Sequence, residues 1–161
     1  GGNNQHYHFD YKDADKLCDK LLELKKNHLN IHLKVITSRR TSELVKNIIN
    51  RRLKNIASIW NGEGVNPYNE AIQSSSFFIV TSDSTSMISE AAISGKPIYI
   101  YHLPFKRKSL RISNFHDEFS KIGITKDLKY IKHLENWEYN LLNESERIGS
   151  IIKKKIIEDI I

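Results

Sequence analysis

One stretch restricts the possible folds more than any other: Thr81 to Tyr101, TSDSTSMISEAAISGKPIYIY, directly following Phe77, Phe78, Ile79 and Val80. Four consecutive apolar residues without alternation read as a strand buried on both faces, as in a parallel sheet. Ser82, Asp83, Ser84 and Thr85 are the small polar residues that cap helices. Met87, Ile88, Ala91 and Ala92 recur at helical spacing, Gly95 supplies the stop, and Pro97 follows two residues later. Ile98 and Ile100 open the next strand. The stretch is a strand–helix–strand unit, which demands a parallel sheet with helices on its faces.

The flanking sequence repeats the alternation. Asp13 caps an expected helix to about Lys26, with Ala14, Leu17, Cys18, Leu21 and Leu22 on its apolar side. Strands are expected near 31–36, 56–60, 76–81 and 97–101. Thr41 or Ser42 caps a helix carrying Leu44, Val45, Ile48 and Ile49, and Pro67 suits the first turn of a helix from Tyr68 to about Ser74. A further helix runs from Leu110 to about Ile122, stopped by Gly123. The segment from Ile124 to Asn140 has no clear period, and Trp137 and Tyr139 are its anchors. A last helix starts at Asn143 or Ser145, its stripe including Ile148, Ile151, Ile152 and Ile156. It packs on the sheet or crosses to another domain, and its lysines would also suit a membrane surface. The whole is read as one α/β, Rossmann-like domain over residues 1–161. Gly1-Gly2 looks like a loop that follows a strand, so a strand before Gly1 is expected in the middle of a 3-2-1-4-5 order.

Composition removes several classes. At 161 residues, with 39% apolar and 27% charged residues, the chain can bury a core and is not of the disordered type. No apolar run approaches the ~20 residues that cross a bilayer. Cys18 stands alone, so neither an internal disulfide nor a paired-cysteine metal site is available, and a reducing, cytoplasmic setting is expected. The net charge of +6 comes from lysines scattered through a chain rich in Lys, Ile and Asn. No aromatic-rich basic strand accompanies them, so no nucleic-acid partner is expected.

The candidate site gathers at strand ends. A helix N-terminus after a buried parallel strand presents free amides and a positive dipole end, which suits phosphate. Asp83, Ser86 and Glu90 share one side at i, i+3 and i+7. Glu90 starts roughly 9–10 Å along the axis at ~1.5 Å per residue, within reach of a hydroxylated group attached to a diphosphate; the other reading is a solvated helix glutamate. Thr37-Ser38-Arg39-Arg40-Thr41 puts hydroxyls and guanidinium groups between a strand and a helix, either to bind an anion or simply to cap the helix. His6 and His8 stand at i, i+2 without the other ligands a metal site needs. Lys106, Arg107 and Lys108 form a basic loop after Pro104.

Ser89-Glu90-Ala91-Ala92-Ile93-Ser94-Gly95-Lys96-Pro97 resembles the S-E-x-x-x-x-G-x-P pattern of donor-binding domains in B-type (GT-B) glycosyltransferases. More closely, the chain resembles the mitochondrial-fission "elongated mitochondria" family, whose bacterial members are often labelled predicted nucleoside-diphosphate-sugar epimerases. The shared marks are Gly1-Gly2-Asn3-Asn4, Thr37 to Thr41, Asn66-Pro67-Tyr68, Thr81 to Met87, Phe115-His116 and Trp137-Glu138-Tyr139. This resemblance implies the C-terminal half of a GT-B fold with an N-terminal domain of the parent chain as its partner. It assigns the donor diphosphate to amides around Asp83, Ser84, Thr85 and Ser86, and the ribose to Glu90. Ser38, Arg39 and Arg40 would serve a phosphate, Gly2, Asn3 and Asn4 would close the other side, and Trp60 and Asn61 would lie against the base, although Trp60 reads equally as a core tryptophan. The Lys106–Lys108 loop would approach the donor sugar. The ligand implied is a nucleoside-diphosphate sugar, with neither metal nor separate cofactor. A general base would come from the other domain, so no turnover is expected from these 161 residues alone. A non-enzymatic scaffold and a nucleotide-sugar epimerase are the alternatives.

Overall fold

The computed structural model describes residues 1–140. Element order is α1 (Tyr11–Asn27), β1 (Leu33–Ile36), α2 (Glu43–Leu53), β2 (Ala57–Trp60), α3 (Tyr68–Ser74), β3 (Phe78–Thr81), α4 (Thr85–Ile93), β4 (Ile98–Tyr101), α5 (Leu110–Lys121) and β5 (Thr125–Asp127), followed by a 3₁₀ turn at Leu128–Tyr130. All sheet pairs are parallel: β1 lies beside β2, and β3-β4-β5 form a second run. The fold is Rossmann-like α/β. The helix expected from Asn143 or Ser145 lies outside the described residues.

Local chemistry explains the boundaries. The first helix begins three residues before the position expected for it, because Asp10 and not Asp13 is the cap. Asp10 Oδ1 accepts from the Lys12 and Asp13 amides at 2.8 and 3.0 Å, and Asp13 returns a bond from the Asp10 amide. This reciprocal box satisfies donors that a helix start leaves open. Ser42 caps α2. The segment from Ile124 was expected to be irregular, yet Thr125–Asp127 adds a strand to β4. Thr-Lys-Asp has no apolar run to announce it; its place comes from pairing with the buried Ile98–Ile100.

The core lies on both sides of the strands. Leu17, Cys18, Leu21 and Leu24 of α1 pack with Val45, Ile48, Ile49 and Leu53 of α2. Burial of each large side chain contributes about 1.5–3 kcal/mol. Burial also pushes the Cys18 thiol up to about 11, in keeping with its reading as core. Phe78, Val80, Ile88, Ala91, Ala92, Ile98, Ile100, Phe119 and Ile124 form the second cluster. Between the two, β1 and β3 each leave one edge unpaired, and the edges flank an apolar slot of about 540 Å³.

Candidate functional site

A second cavity, about 890 Å³, opens at the C-terminal ends of β1 and β2 and reaches across to α4. Thr37, Ser38 and Arg39 line it from the first loop, and Trp60 and Asn61 from the end of β2. Met87 and Glu90 close it from α4. Five residues expected from sequence to bind one ligand (Ser38, Arg39, Trp60, Asn61 and Glu90) therefore share one cleft, whereas Ser84, Thr85 and Ser86 do not line it. This is where an open α/β sheet receives ligands, because backbone groups and helix N-termini are left free there.

Each member is positioned by its own local bonds. The Ser38 amide donates to Thr41 Oγ1 at 2.9 Å, and Ser38 Oγ accepts from the Arg40 amide at 3.2 Å. These bonds make a tight turn that sends Arg39 and Arg40 apart. Arg39 is exposed on the cleft wall. Arg40 instead meets the fully buried carboxylate of Asp83, Nη2 to Oδ2 at 2.8 Å. Trp60 is half-buried, and its Nε1–H has no hydrogen-bond partner among the described residues. Its carbonyl accepts from both the amide and the hydroxyl of Thr37, at 3.1 and 3.0 Å, locking the two loops together.

Asp83 does not share a helix face with Ser86 and Glu90, because α4 starts only at Thr85. It anchors the N-terminal Gly1–Asn4 segment: Oδ2 accepts the Gly2 amide at 2.9 Å, and its carbonyl accepts Asn4 Nδ2 at 3.2 Å. Asn4 Oδ1 accepts from the His6 and Tyr7 amides, and Asn3 Oδ1 from that of Phe9. A Cβ at Gly2 would collide with the Arg40 carbonyl, so glycine serves here to bring backbone against backbone. Gly2, Asn3, Asn4, Arg40 and Asp83 thus form a brace beside the cleft, and none of them lines it. The Lys106–Lys108 loop does not line it either; the Lys106 and Arg107 amides bond the His6 carbonyl.

The start of α4 has a particular character. Ser84 is its N-cap residue, yet no side-chain bond caps the helix. The amides of the first turn, from Thr85 to Met87, therefore have no intrahelical acceptor. Behind them, Ser82 is fully buried, its hydroxyl accepting the Leu103 amide and its carbonyl accepting His116 Nε2–H at 2.9 Å. His116 of α5 thus buttresses the loop. Burial lowers the His116 pKa, keeping the ring neutral as a donor.

Residues 1–156 match the family described as Mitochondrial fission ELM1. The chain belongs to that family. It is 34% identical over 158 residues to uncharacterized protein RP120 of Rickettsia prowazekii (strain Madrid E), covering 95% of this chain and 44% of that protein. It is 28% identical over 149 residues to the Mitochondrial fission protein ELM1 of Arabidopsis thaliana, covering 89% of this chain and 33% of the plant protein. The chain spans less than half the length of both curated relatives. No solved structure matches it.

Within this ELM1-family chain, Tyr68 is the member of the cleft that residue chemistry did not single out. Its hydroxyl donates to Glu90 Oε2 at 2.7 Å, and burial together with that carboxylate drives the phenol pKa far up. Its only signal in the sequence was its place in Asn66-Pro67-Tyr68. Lys46, Asn47 and Asn50 of α2 also face the cleft, and Lys46 is paired with Glu43 at 2.7 Å. In sequence they read as the solvated side of an amphipathic helix. Among the described residues, no three His, Cys, Asp or Glu gather as metal ligands, and no helix is long and apolar enough to cross a membrane.

Proposed function

We propose that this cleft takes the nucleotide of a nucleoside-diphosphate sugar, making the chain the donor-binding domain of a GT-B-like protein. The observation that carries the reading is the convergence of Glu90, Arg39, Trp60 and Asn61 on one cavity beside an uncapped helix start. Phosphate oxygens would accept from the first amides of α4, favoured by the helix dipole and by the exposed Arg39. Glu90 keeps one carboxylate oxygen for Tyr68, and the other is available to a ribose hydroxyl. Trp60 and Asn61, at the end of β2, would lie against the base. The brace of Gly2, Asn3, Asn4, Arg40 and Asp83 fixes the loops on either side and acts on the ligand indirectly.

Such a site stabilises a departing diphosphate with dipoles and cations already in place. The acceptor side and any general base would belong to the rest of the longer protein, so the 161 residues alone bind without turning over. Calorimetric titration with UDP, GDP, CDP and ADP at low salt tests the reading. One nucleotide should bind selectively, and Glu90→Gln should weaken it by about tenfold or more, since hydrogen bonds to a charged group are worth about 1.5–3 kcal/mol. No binding by this chain or by the longer protein would leave the non-enzymatic scaffold as the better account. Nucleotide-sugar isomerisation without an acceptor, seen by mass spectrometry, would favour the epimerase.

A further inference from the structure

A surface patch between β4 and α5 stands apart from the cleft and does not depend on what the cleft binds. From Ala91 to His116 the chain carries no Asp or Glu, and Lys106, Arg107, Lys108 and Arg111 lie close together within that stretch. All four are exposed, and among the described residues none of their side chains is paired with a carboxylate. Like charges gathered this way repel one another until a counter-charge is supplied. Two large apolar side chains stand among them, Leu110 at 76% exposure and Phe105 at 44%. The backbone that carries the patch is held firmly. The Lys106 and Arg107 amides donate to the His6 carbonyl at 2.8 and 3.2 Å, the His8 amide donates to the Pro104 carbonyl at 3.1 Å, and the Phe105 ring stacks on buried Tyr7 with centroids 4.6 Å apart. A partner therefore meets side chains on a loop already ordered, which lowers the entropic cost of binding.

We propose that this patch docks the protein on an anionic lipid bilayer, with Leu110 and Phe105 entering the boundary between headgroups and acyl chains and the four cations meeting lipid phosphates. Charge complementarity calls for an anionic partner, and the apolar side chains choose among such partners. A single-stranded nucleic acid would need aromatic faces for its bases. One face of Phe105 is already covered by Tyr7, and Leu110 offers a base nothing to stack on. Hydrocarbon, by contrast, accepts both side chains, while Lys and Arg stems reach along it and keep their charges at the phosphates. Leu110 opens α5, and no side-chain bond from Ser109 caps that helix, so its positive end lies in the same patch. The location has a consequence for the cleft. The cleft reaches α4, which starts just after β3, and the patch follows the end of β4, which runs parallel to β3. Docking thus brings the cleft's edge of the sheet close to the membrane surface.

Flotation of the full-length gene product with lipid vesicles tests this. One set is phosphatidylcholine alone and the other contains about 30% phosphatidylglycerol, both at about 0.1 M salt, where charges act over about 10 Å. The protein should float with the anionic vesicles and not with the neutral ones. Replacing Lys106 and Lys108 together by Ala should weaken partitioning about 25-fold, at about fivefold per cation. Leu110→Ser should weaken it about threefold or more. Neither variant should move the urea midpoint, because all three side chains are exposed. Absence of flotation with anionic vesicles would overturn the proposal. Flotation that both variants leave unchanged would place membrane binding elsewhere in the protein, Lys153 to Lys155 included, and would also overturn it. Tighter binding to a single-stranded RNA than to the vesicles at the same salt, indifferent to Leu110→Ser, would make the patch a nucleic-acid site instead.

Discussion

At the scale of single residues, the two adjacent arginines separate binding from stability. Arg39 points into the cleft, whereas Arg40 holds a carboxylate with no solvent exposure. Arg39→Ala should weaken nucleotide binding about tenfold, the loss of one charge-assisted contact, with an unchanged urea midpoint. Arg40→Ala should do the opposite in the same two measurements. It leaves Asp83 buried without its cation, and even with the guanidinium side 38% exposed the cost should be about 2–3 kcal/mol. Sequence placed both arginines in the right loop but left open which one serves a ligand. The choice rests on a contact with Asp83, 43 positions away in the chain, that no local pattern encodes.

Elements were legible where they carry their own signals. The unit from β3 through α4 to β4 has a buried run, a helical stripe, Gly95 and Pro97, and the structure bears it out. β5 has none of these, and it exists because β4 offers it an edge. The meeting of α5 with the loop after β3 is likewise a tertiary event, made by His116. Because the folded pKa of His116 lies below its ordinary value near 6.5, the unfolded chain binds the proton more readily. Stability from this group is complete above about pH 6.5 and falls as the pH drops from there toward the folded value. The urea midpoint should therefore decline between about pH 7.5 and about pH 5.5, and His116→Gln should flatten that decline. His102, stacked edge-on against His116 at 5.4 Å, opposes protonation in the same sense.

For the whole molecule, the segment after β5 adds to the links that the Arg40–Asp83 pair already makes between the two sheet halves. Leu134 donates its amide to His28 beyond α1, while Trp137 packs edge-on against Tyr99 of β4 and donates Nε1–H to the Gly123 carbonyl. Tyr139 bonds the carbonyls of Ala92 and Lys96. Trp137 and Tyr139 were expected as anchors of an irregular segment, and they are. Trp137→Ala should cost about 2–3 kcal/mol in urea unfolding, below the ~3–5 typical of a fully buried aromatic because Trp137 is half-buried.

Hydrophobic period, caps and glycine stops are local, so the sequence by itself determined the α/β class, the positions of most elements and the loops that carry polar chemistry. Its resemblance to a family was also readable, because the motifs stand in order along nearly the whole chain. Only the tertiary structure decided which of those polar residues face a common cavity. It tied Asp83, Asn3, Asn4 and Arg40 into a brace, drew Tyr68 onto Glu90, and left an open lane between β1 and β3. Those outcomes depend on the crossing of segments distant in sequence, whose mutual geometry is set by how the helices and strands pack.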